Sequence, residues 1–254
     1  MGIDKQGTHR NHFSIPDVAL IIVLQPPPHV RTVYRRSDPN KTEYIAKHLS
    51  EESNELAIHD YLKSRPCRSS HIISLIEAVP LTTREWLILP MLYSITDQWF
   101  LDVNSAAGRV RLSWGLVKGL AYLHEHKIAH RDIKPENLVC DNNFNLKIID
   151  FDVAIKDVDE NMETIGYLGT EGWTAPEIGK QDGPMRIYSP IKADRWSCGR
   201  VILHHIMVGD TVMNADPCLL KFANQLMAKD PQQRPSLLGW YKLLTAQPIS
   251  IGHN

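Results

Sequence analysis

Short apolar runs separated by turn-forming residues dominate the first third of the chain. Each run has the length and composition of a β-strand, and clusters of Pro, Asn, Asp and Ser lie between them. The pattern therefore predicts strands over 18–24, 30–35, 43–48, 72–79 and 86–90. An imperfect apolar stripe over 50–62 predicts one short helix, with Ser50 as its N-cap.

From residue 93 onward the apolar positions follow the spacing of helices. Leu112, Leu116, Leu120 and Leu123 recur at helical intervals up to a polar segment that begins at residue 130. Two short apolar runs predict strands over 138–140 and 146–149. Further helices are predicted over 194–207, 217–228 and 235–245.

These patterns predict an α+β fold in two parts. A small β-rich half covers 17–92 and a larger, mainly helical half covers 93–248. The polar residues 1–16 are expected to be disordered.

The composition argues against two classes of partner. Lys plus Arg (28) nearly balances Asp plus Glu (29), so no global charge indicates nucleic acid or a membrane surface. The longest apolar run, 18–24, is far too short to span a bilayer. The four cysteines include no C-x-x-C pair, which favours thiols over disulfides or zinc ligands. We therefore expect an intracellular, cytoplasmic protein, and the sequence leaves its oligomeric state open.

The segment 130–137, His-Arg-Asp-Ile-Lys-Pro-Glu-Asn, carries the clearest chemical signal. Phosphoryl transfer needs a carboxylate to orient the attacking hydroxyl, a cation near the transferred group and an oxygen ligand for a metal ion. Asp132, Lys134 and Asn137 supply these three groups within one short segment. The segment resembles the catalytic loop of eukaryotic protein kinases, and a lysine at 134 is typical of the Ser/Thr-specific kinases.

The resemblance covers residues from about 30 to 245 and implies a bilobal protein-kinase-like fold, with ATP and Mg²⁺ as cofactors and a protein as substrate. Asp150, thirteen residues after Asn137, is similar to the metal-binding Asp of the kinase Asp-Phe-Gly motif. Here the third residue of that motif is Asp152 instead of Gly. Two interpretations stay open: Asp152 alters metal affinity, or it turns to solvent without catalytic effect.

The resemblance also implies a nucleotide site. Lys47 is similar to the strand lysine that holds the α- and β-phosphates, and Glu55 would be its partner on a helix. Met91 and Leu92 would offer hinge backbone to an adenine ring, after Leu89 at the gatekeeper-like position.

Several further residues resemble structural supports of the kinase fold. Thr170 would contact Asp132 and Lys134, and Asp194 would support the backbone of the catalytic loop. Glu177, in Ala-Pro-Glu, would pair with Arg234. Arg131 would await a phosphate on the activation segment, which runs from Asp150 to Glu177 and carries Thr164 and Tyr167. Four acids of that segment could satisfy Arg131 without modification: Asp157, Asp159, Glu160 and Glu163. We therefore expect that phosphorylation is not strictly required.

One element of the kinase pattern is missing. Kinases cover the phosphates with a Gly-rich loop, whereas this chain has no glycine between Gly7 and Gly108 and carries prolines at 26–28. Proline has no backbone N–H to donate to a phosphate, so we expect weaker or atypical nucleotide binding.

We interpret the chain as a Ser/Thr phosphotransferase in which Asp132 is the catalytic base. The first alternative is a pseudokinase, a binding or scaffolding module, which the missing glycines and Asp152 favour. A second alternative is a small-molecule kinase of the aminoglycoside type. Arg131 and the segments 134–136 and 175–177 argue against that alternative.

Overall fold

The computed structural model describes residues 18–21, 29–35, 37–81, 84–97, 106–208 and 217–239. Within them the chain forms two compact units. The first contains the residues up to 51 together with 74–91, and the second contains 52–73 together with the residues from 92 onward. The expected disorder of 1–16 and the proline segment 26–28 lie outside the described residues.

The first unit is a five-stranded antiparallel sheet. Its strands are β1 (Val18–Ile21), β2 (Val30–Arg35), β3 (Glu43–His48), β4 (Glu77–Leu81) and β5 (Arg84–Pro90), in the spatial order β1-β2-β3-β5-β4. Val33, Ala46, Val79 and Ile88 form its buried core. β2 and β3 have the bounds that the sequence predicts.

Asp38 shapes the turn that joins β2 to β3. Its carboxylate accepts hydrogen bonds from the backbone N–H groups of Asn40 (2.8 Å) and Thr42 (2.9 Å). Hydrogen bonds from Thr42 and from these two amides lower the pKa of Asp38. The turn places β3, which carries Lys47, between β2 and β5.

The second unit is mainly helical. Its helices are α1 (Glu55–Lys63), α2 (Ala106–Glu125), α3 (Pro190–Val201) and α4 (Pro217–Leu226). Its short strands are β6 (Tyr93–Ser94), β7 (Ile128–Ala129), β8 (Leu138–Cys140), β9 (Leu146–Ile148), β10 (Ile155–Lys156), β11 (Thr164–Ile165) and β12 (Ile187–Tyr188). The described helices lack the combination of length and hydrophobicity that crossing a bilayer requires.

The leucine spacing of α2 is confirmed, because Leu112, Leu116, Leu120 and Leu123 are all fully buried. The next predicted helix begins earlier than expected, at Pro190. Ser189 caps it by accepting the N–H of Lys192, and proline is favoured in the first turn. Beyond Val201 the chain continues as a π-helical turn over Ile202–Ile206.

Two further predictions are wrong at their boundaries. The helix predicted from residue 50 begins at Glu55, because the chain still pairs with β5 at Leu49, whose N–H bonds the carbonyl of Glu85 (3.1 Å). The strand predicted over 72–79 is interrupted, because Ile73 donates its N–H to Ile148 of β9 (3.1 Å) and β4 begins only at Glu77. The predicted helix over 235–245 is helical at 237–239, and the rest lies outside the described residues.

The lobe boundaries predicted at 17–92 and 93–248 stay a prediction. The structure adds that 52–73, with helix α1, belongs to the second unit. Backbone bonds such as that of Ile73 to Ile148 explain this assignment.

Candidate active site

Asp132, Lys134 and Thr170 form a closed triangle of contacts. The Lys134 ammonium lies 2.8 Å from Asp132 Oδ2, and the Thr170 hydroxyl donates to Asp132 Oδ1 (2.8 Å). Lys134 Nζ also donates to Thr170 Oγ1 (2.8 Å). The Asp132 and Lys134 side chains are only 16% and 19% exposed, so water screens their charges less than at an open surface. The carboxylate is thus fixed in place, and its edge can still be reached.

Asn137 ties the far end of the segment back to Asp132. The turn Pro135–Asn137 places its side chain so that Nδ2 donates to the Asp132 backbone carbonyl (2.9 Å) and to Asp132 Oδ2 (3.2 Å). The amide oxygen of Asn137 is the atom that a hard cation would use. The predicted trio Asp132, Lys134 and Asn137 is therefore brought together.

Asp194, at the start of α3, supports the backbone of this segment. It is 2% exposed and accepts the N–H groups of His130 (2.7 Å) and Arg131 (2.8 Å). Arg131 has a positive φ of 71°, which a non-glycine residue adopts only with support. Gly169 also fits closely here, because a Cβ at that position would lie 2.6 Å from the Thr174 side chain. The predicted role of Asp194 matches these contacts.

The imidazole of His124 completes the support. Its Nε2 lies 3.2 Å from Asp194 Oδ2, and burial lowers the pKa of His124, against the opposing effect of the Asp194 carboxylate. A neutral ring that donates through Nε2 fits this geometry, because Nδ1 is buried without a hydrogen-bond partner. Sequence reasoning missed His124.

Glu177 and Arg234 form the expected ion pair. The guanidinium donates through two nitrogens to the two carboxylate oxygens, at 2.5 and 2.8 Å. Arg234 also donates to the backbone carbonyls of Lys192 (2.9 Å) and Ala228 (3.0 Å). One buried arginine therefore joins three segments of the second unit.

The segment 150–152 follows β9. Asp150 has a positive φ of 67°, and Phe151 is fully buried. The Phe151 ring lies between the rings of His59 (5.4 Å) and His130 (5.3 Å), measured between centroids. Phe151 thereby links helix α1 to the catalytic segment.

Glu55, Asp150 and Asp152 each place a carboxylate oxygen within 4.8 Å of the others. Glu55 begins α1 and is fully buried. Two of the predicted nucleotide-site residues, Glu55 and Asp150, therefore lie close together in the second unit.

The interpretation of Asp152 as turned to solvent is wrong. Its carboxylate accepts a hydrogen bond from the Ser53 hydroxyl, and the residue is half-buried. Ser53 had no signal in the sequence, because 99 residues separate it from Asp152.

The remaining predicted nucleotide residues lie elsewhere in the chain. Lys47 is in β3 of the first unit, is 7% exposed and pairs in register with Val30 and Leu87. Met91 ends the first unit and is exposed, and Leu92 begins the second. The pairing of Lys47 with Glu55 and the adenine contact stay predictions.

Comparison with known proteins agrees with this geometry. Residues 32–217 match the protein kinase domain family. The chain is 35% identical to the serine/threonine-protein kinase chk1 of Schizosaccharomyces pombe over 138 residues, which is 54% of this chain and 26% of that protein. It is 30% identical to the SNF1-like protein kinase ssp2 of the same organism over 188 residues, which is 70% of this chain and 31% of that protein. It is 33% identical to the CBL-interacting protein kinase 4 of Oryza sativa subsp. japonica over 57% of this chain and 32% of that protein.

The chain therefore belongs to the protein kinase family, and these similar relatives are protein kinases. The predicted α+β, bilobal kinase-like fold is confirmed. The chain spans about a quarter to a third of the length of these curated relatives.

Proposed function

We propose that this protein transfers a phosphoryl group from ATP to serine or threonine hydroxyls of protein substrates. The observation that carries this proposal is the triangle of Asp132, Lys134 and Thr170. A carboxylate held by a cation and a hydroxyl is suited to orient one incoming alcohol, and orientation is a large part of kinase catalysis.

Each residue of the triangle has a separate role in this proposal. Asp132 accepts a hydrogen bond from the substrate hydroxyl and takes its proton as the new bond to the γ-phosphorus forms and the bond from that phosphorus to the departing ADP breaks. Lys134 offsets negative charge beside the transferred group. Thr170 holds both side chains in place, since its hydroxyl contacts each at 2.8 Å.

The donor set on the second unit fits Mg²⁺. Asn137 and Asp150 would hold the ion through oxygen atoms, which hard cations prefer, and the crowded carboxylates of Glu55, Asp150 and Asp152 favour a positive charge nearby. When bound, the metal and ATP supply charge neutralisation and the group that is transferred. Lys47, paired with Glu55, would anchor the phosphates, and the backbone of Met91 and Leu92 would bind adenine.

The protein is proposed to act inside the cell. None of its four cysteines forms a disulfide, and Cys140 and Cys198 are buried, with burial raising the pKa of Cys140 to about 11. Such thiols are compatible with a reducing compartment.

A pseudokinase with a scaffolding role is the second candidate. The lack of any glycine between Gly7 and Gly108 favours it. The contact of Asp152 with Ser53 weakens it, because this contact gives Asp152 a role that leaves Asn137 and Asp150 in place.

Calorimetric titration of ATP tests the nucleotide site. Removal of Mg²⁺ and the change Lys47→Ala should each weaken binding strongly, because the prolines at 26–28 offer no N–H groups to the phosphates. Replacing these prolines by Gly-Ser-Gly should leave the affinity unchanged or raise it. Metal-independent binding that survives Lys47→Ala would overturn the phosphate-anchor assignment and favour the scaffold.

A further inference from the structure

Asp152 connects the segment after Asp150 to the start of helix α1. The Ser53 hydroxyl donates to Asp152 Oδ1, and the Asn54 N–H donates to the Asp152 backbone carbonyl (3.0 Å). Ser53 Oγ in turn accepts the N–H of Glu55 (3.2 Å), and Asn54 Nδ2 donates to the carbonyl of Ala154 (3.1 Å). We call these four hydrogen bonds the Asp152 clamp.

The clamp supplies a hydrogen-bond partner for the first turn of helix α1. The first N–H groups of any helix lack partners within it, and Asn54, at the N-cap of α1, makes no side-chain capping bond. The Ser53 hydroxyl caps Glu55 instead, and Asp152 fixes that hydroxyl from the other side. Ser53 and Asp152 are both half-buried, so their bond is partly shielded from competing water.

The backbone at residue 152 does not call for glycine. Of the described residues other than glycine, six have a positive φ, and Asp150 is among them whereas Asp152 is not. A side chain at 152 therefore costs no left-handed strain, and its carboxylate is available for the clamp.

We propose that Asp152 is a positioning residue that fixes helix α1, and with it Glu55, against the metal-binding segment at Asp150. The carboxylates of Glu55, Asp150 and Asp152 lie close together, and like charges tend to separate them. The clamp opposes this separation and holds Glu55 and Asp150 close to each other. The expected effect of the clamp on catalysis rests on the proposed function. The hydrogen bonds of the clamp do not depend on that proposal.

Kinetic variants separate the clamp from a direct metal ligand. Asp152→Ala and Ser53→Ala should each lower kcat by about tenfold, because small misplacements of catalytic groups are costly, with little change in the KM for ATP or in the Mg²⁺ dependence. The double variant should be no slower than Ser53→Ala alone, because Ser53→Ala already lacks the bond between Ser53 and Asp152. Asp152→Asn keeps an oxygen that can accept the Ser53 hydroxyl and should rescue most of the lost rate.

Two kinetic results would overturn the proposal. Asp152→Asn as slow as Asp152→Ala, with a raised Mg²⁺ requirement, would make Asp152 a metal ligand. Full activity of Ser53→Ala would show that the clamp does not matter.

Hydrogen exchange gives a readout in nucleotide-free protein and needs no activity. The amides of Asn54 and Glu55 should exchange several-fold faster in Asp152→Ala and Ser53→Ala than in wild type or Asp152→Asn, while α2 is unaffected. Unchanged exchange in both Ala variants would overturn the clamp. If wild type transfers no phosphate but shows this exchange pattern, the proposed function fails and the clamp stands.

Discussion

The hydroxyl of Thr170 contacts both charged groups of the catalytic segment. It donates to Asp132 and accepts from Lys134, so it links the carboxylate and the cation of the catalytic segment across 36 residues or more. If the hydroxyl is removed, the direct contact between Asp132 and Lys134 remains, but Asp132 loses one of the contacts that fix its carboxylate.

We expect Thr170→Val to lower kcat by about tenfold or more, because the shape is kept while both hydrogen bonds are lost. Thr170→Ser, which keeps the hydroxyl, should stay close to wild type. The measurement is steady-state transfer to a serine peptide at saturating ATP. Equal rates for the Val and Ser variants would show that the hydroxyl has no positioning role.

At the residue scale, the sequence predicts the members of the catalytic segment well. Asp132, Lys134 and Asn137 lie within six residues of one another, so identity and spacing alone place them together. The contacts of Asp152 with Ser53 and of His124 with Asp194 join residues 99 and 70 positions apart. Such pairs depend on how helices pack, which local spacing does not reveal.

At the element scale, contacts with strand β12 and helix α3 hold the activation segment in place without a phosphate. The Glu160 carboxylate forms a short ion pair with the buried Arg195, and the Glu160 carbonyl accepts the Ser189 hydroxyl (3.1 Å). Strand β11 then pairs with β12. Of the four acids that could satisfy Arg131, Glu160 pairs instead with Arg195 of α3. The Arg131 side chain lies near Tyr188.

This arrangement predicts activity without phosphorylation of the activation segment. Phosphatase-treated protein and the variant Thr164→Ala with Tyr167→Phe should retain most of the activity, because Glu160 already supplies a fixed negative charge. Glu160→Gln should be slower, since buried Arg195 then loses its charged partner. The expectation fails if the dephosphorylated protein is inactive and a phosphate at Thr164 or Tyr167 activates it.

The pair of Glu177 and Arg234 is a stability feature of the elements around α3. Arg234→Met should lower the free energy of unfolding by about 3 kcal/mol, because it leaves Glu177 and two backbone carbonyls without their donor. The stability of Arg234→Lys should lie between those of wild type and Arg234→Met, because lysine keeps the charge but cannot form the two-point contact with the carboxylate. Urea unfolding monitored by circular dichroism measures this, and a loss under about 1 kcal/mol for Arg234→Met would contradict it.

Element predictions succeed where periodicity governs burial. The leucine stripe of α2 is buried as expected, and strands β2 and β3 have the expected bounds. The ends of α1 and α3 depend on partners elsewhere, namely Glu85 beside Leu49 and the Ser189 cap, so their starts are displaced from the predictions.

At the scale of the whole molecule, partly buried histidines make stability depend on pH. Burial is the main cause that lowers the pKa of His71, His124 and His205 below 6.5. The folded protein therefore disfavours their protonation, whereas the unfolded chain takes up protons near pH 6.5. Stability is fully present above that pH and falls as the pH drops through it.

We expect the free energy of unfolding to fall by on the order of 1 kcal/mol between about pH 7.5 and about pH 5.5. His124→Gln keeps an N–H donor for Asp194 but does not titrate, so it should reduce this dependence. Urea titrations at the two pH values check the result. Constant or rising stability on acidification would contradict it.

The division into a β-rich and a helical part could be predicted from the sequence, because strand and helix periodicities occupy separate stretches. The assignment of 52–73 to the second unit could not. It depends on backbone bonds across long separations, such as those of Ile73 to Ile148 and of Asn54 to Asp152.

Phosphoryl transfer by the purified chain tests the central claim most directly. Protein is incubated with ATP labelled at the γ-phosphate and serine or threonine peptides, with and without Mg²⁺, beside Asp132→Asn as the matched control. We predict Mg²⁺-dependent labelling of hydroxyl side chains by wild type and none by Asp132→Asn, which should still fold and bind ATP because only the orienting carboxylate is changed. Binding of ATP without transfer by wild type, or equal transfer by Asp132→Asn, would contradict the account.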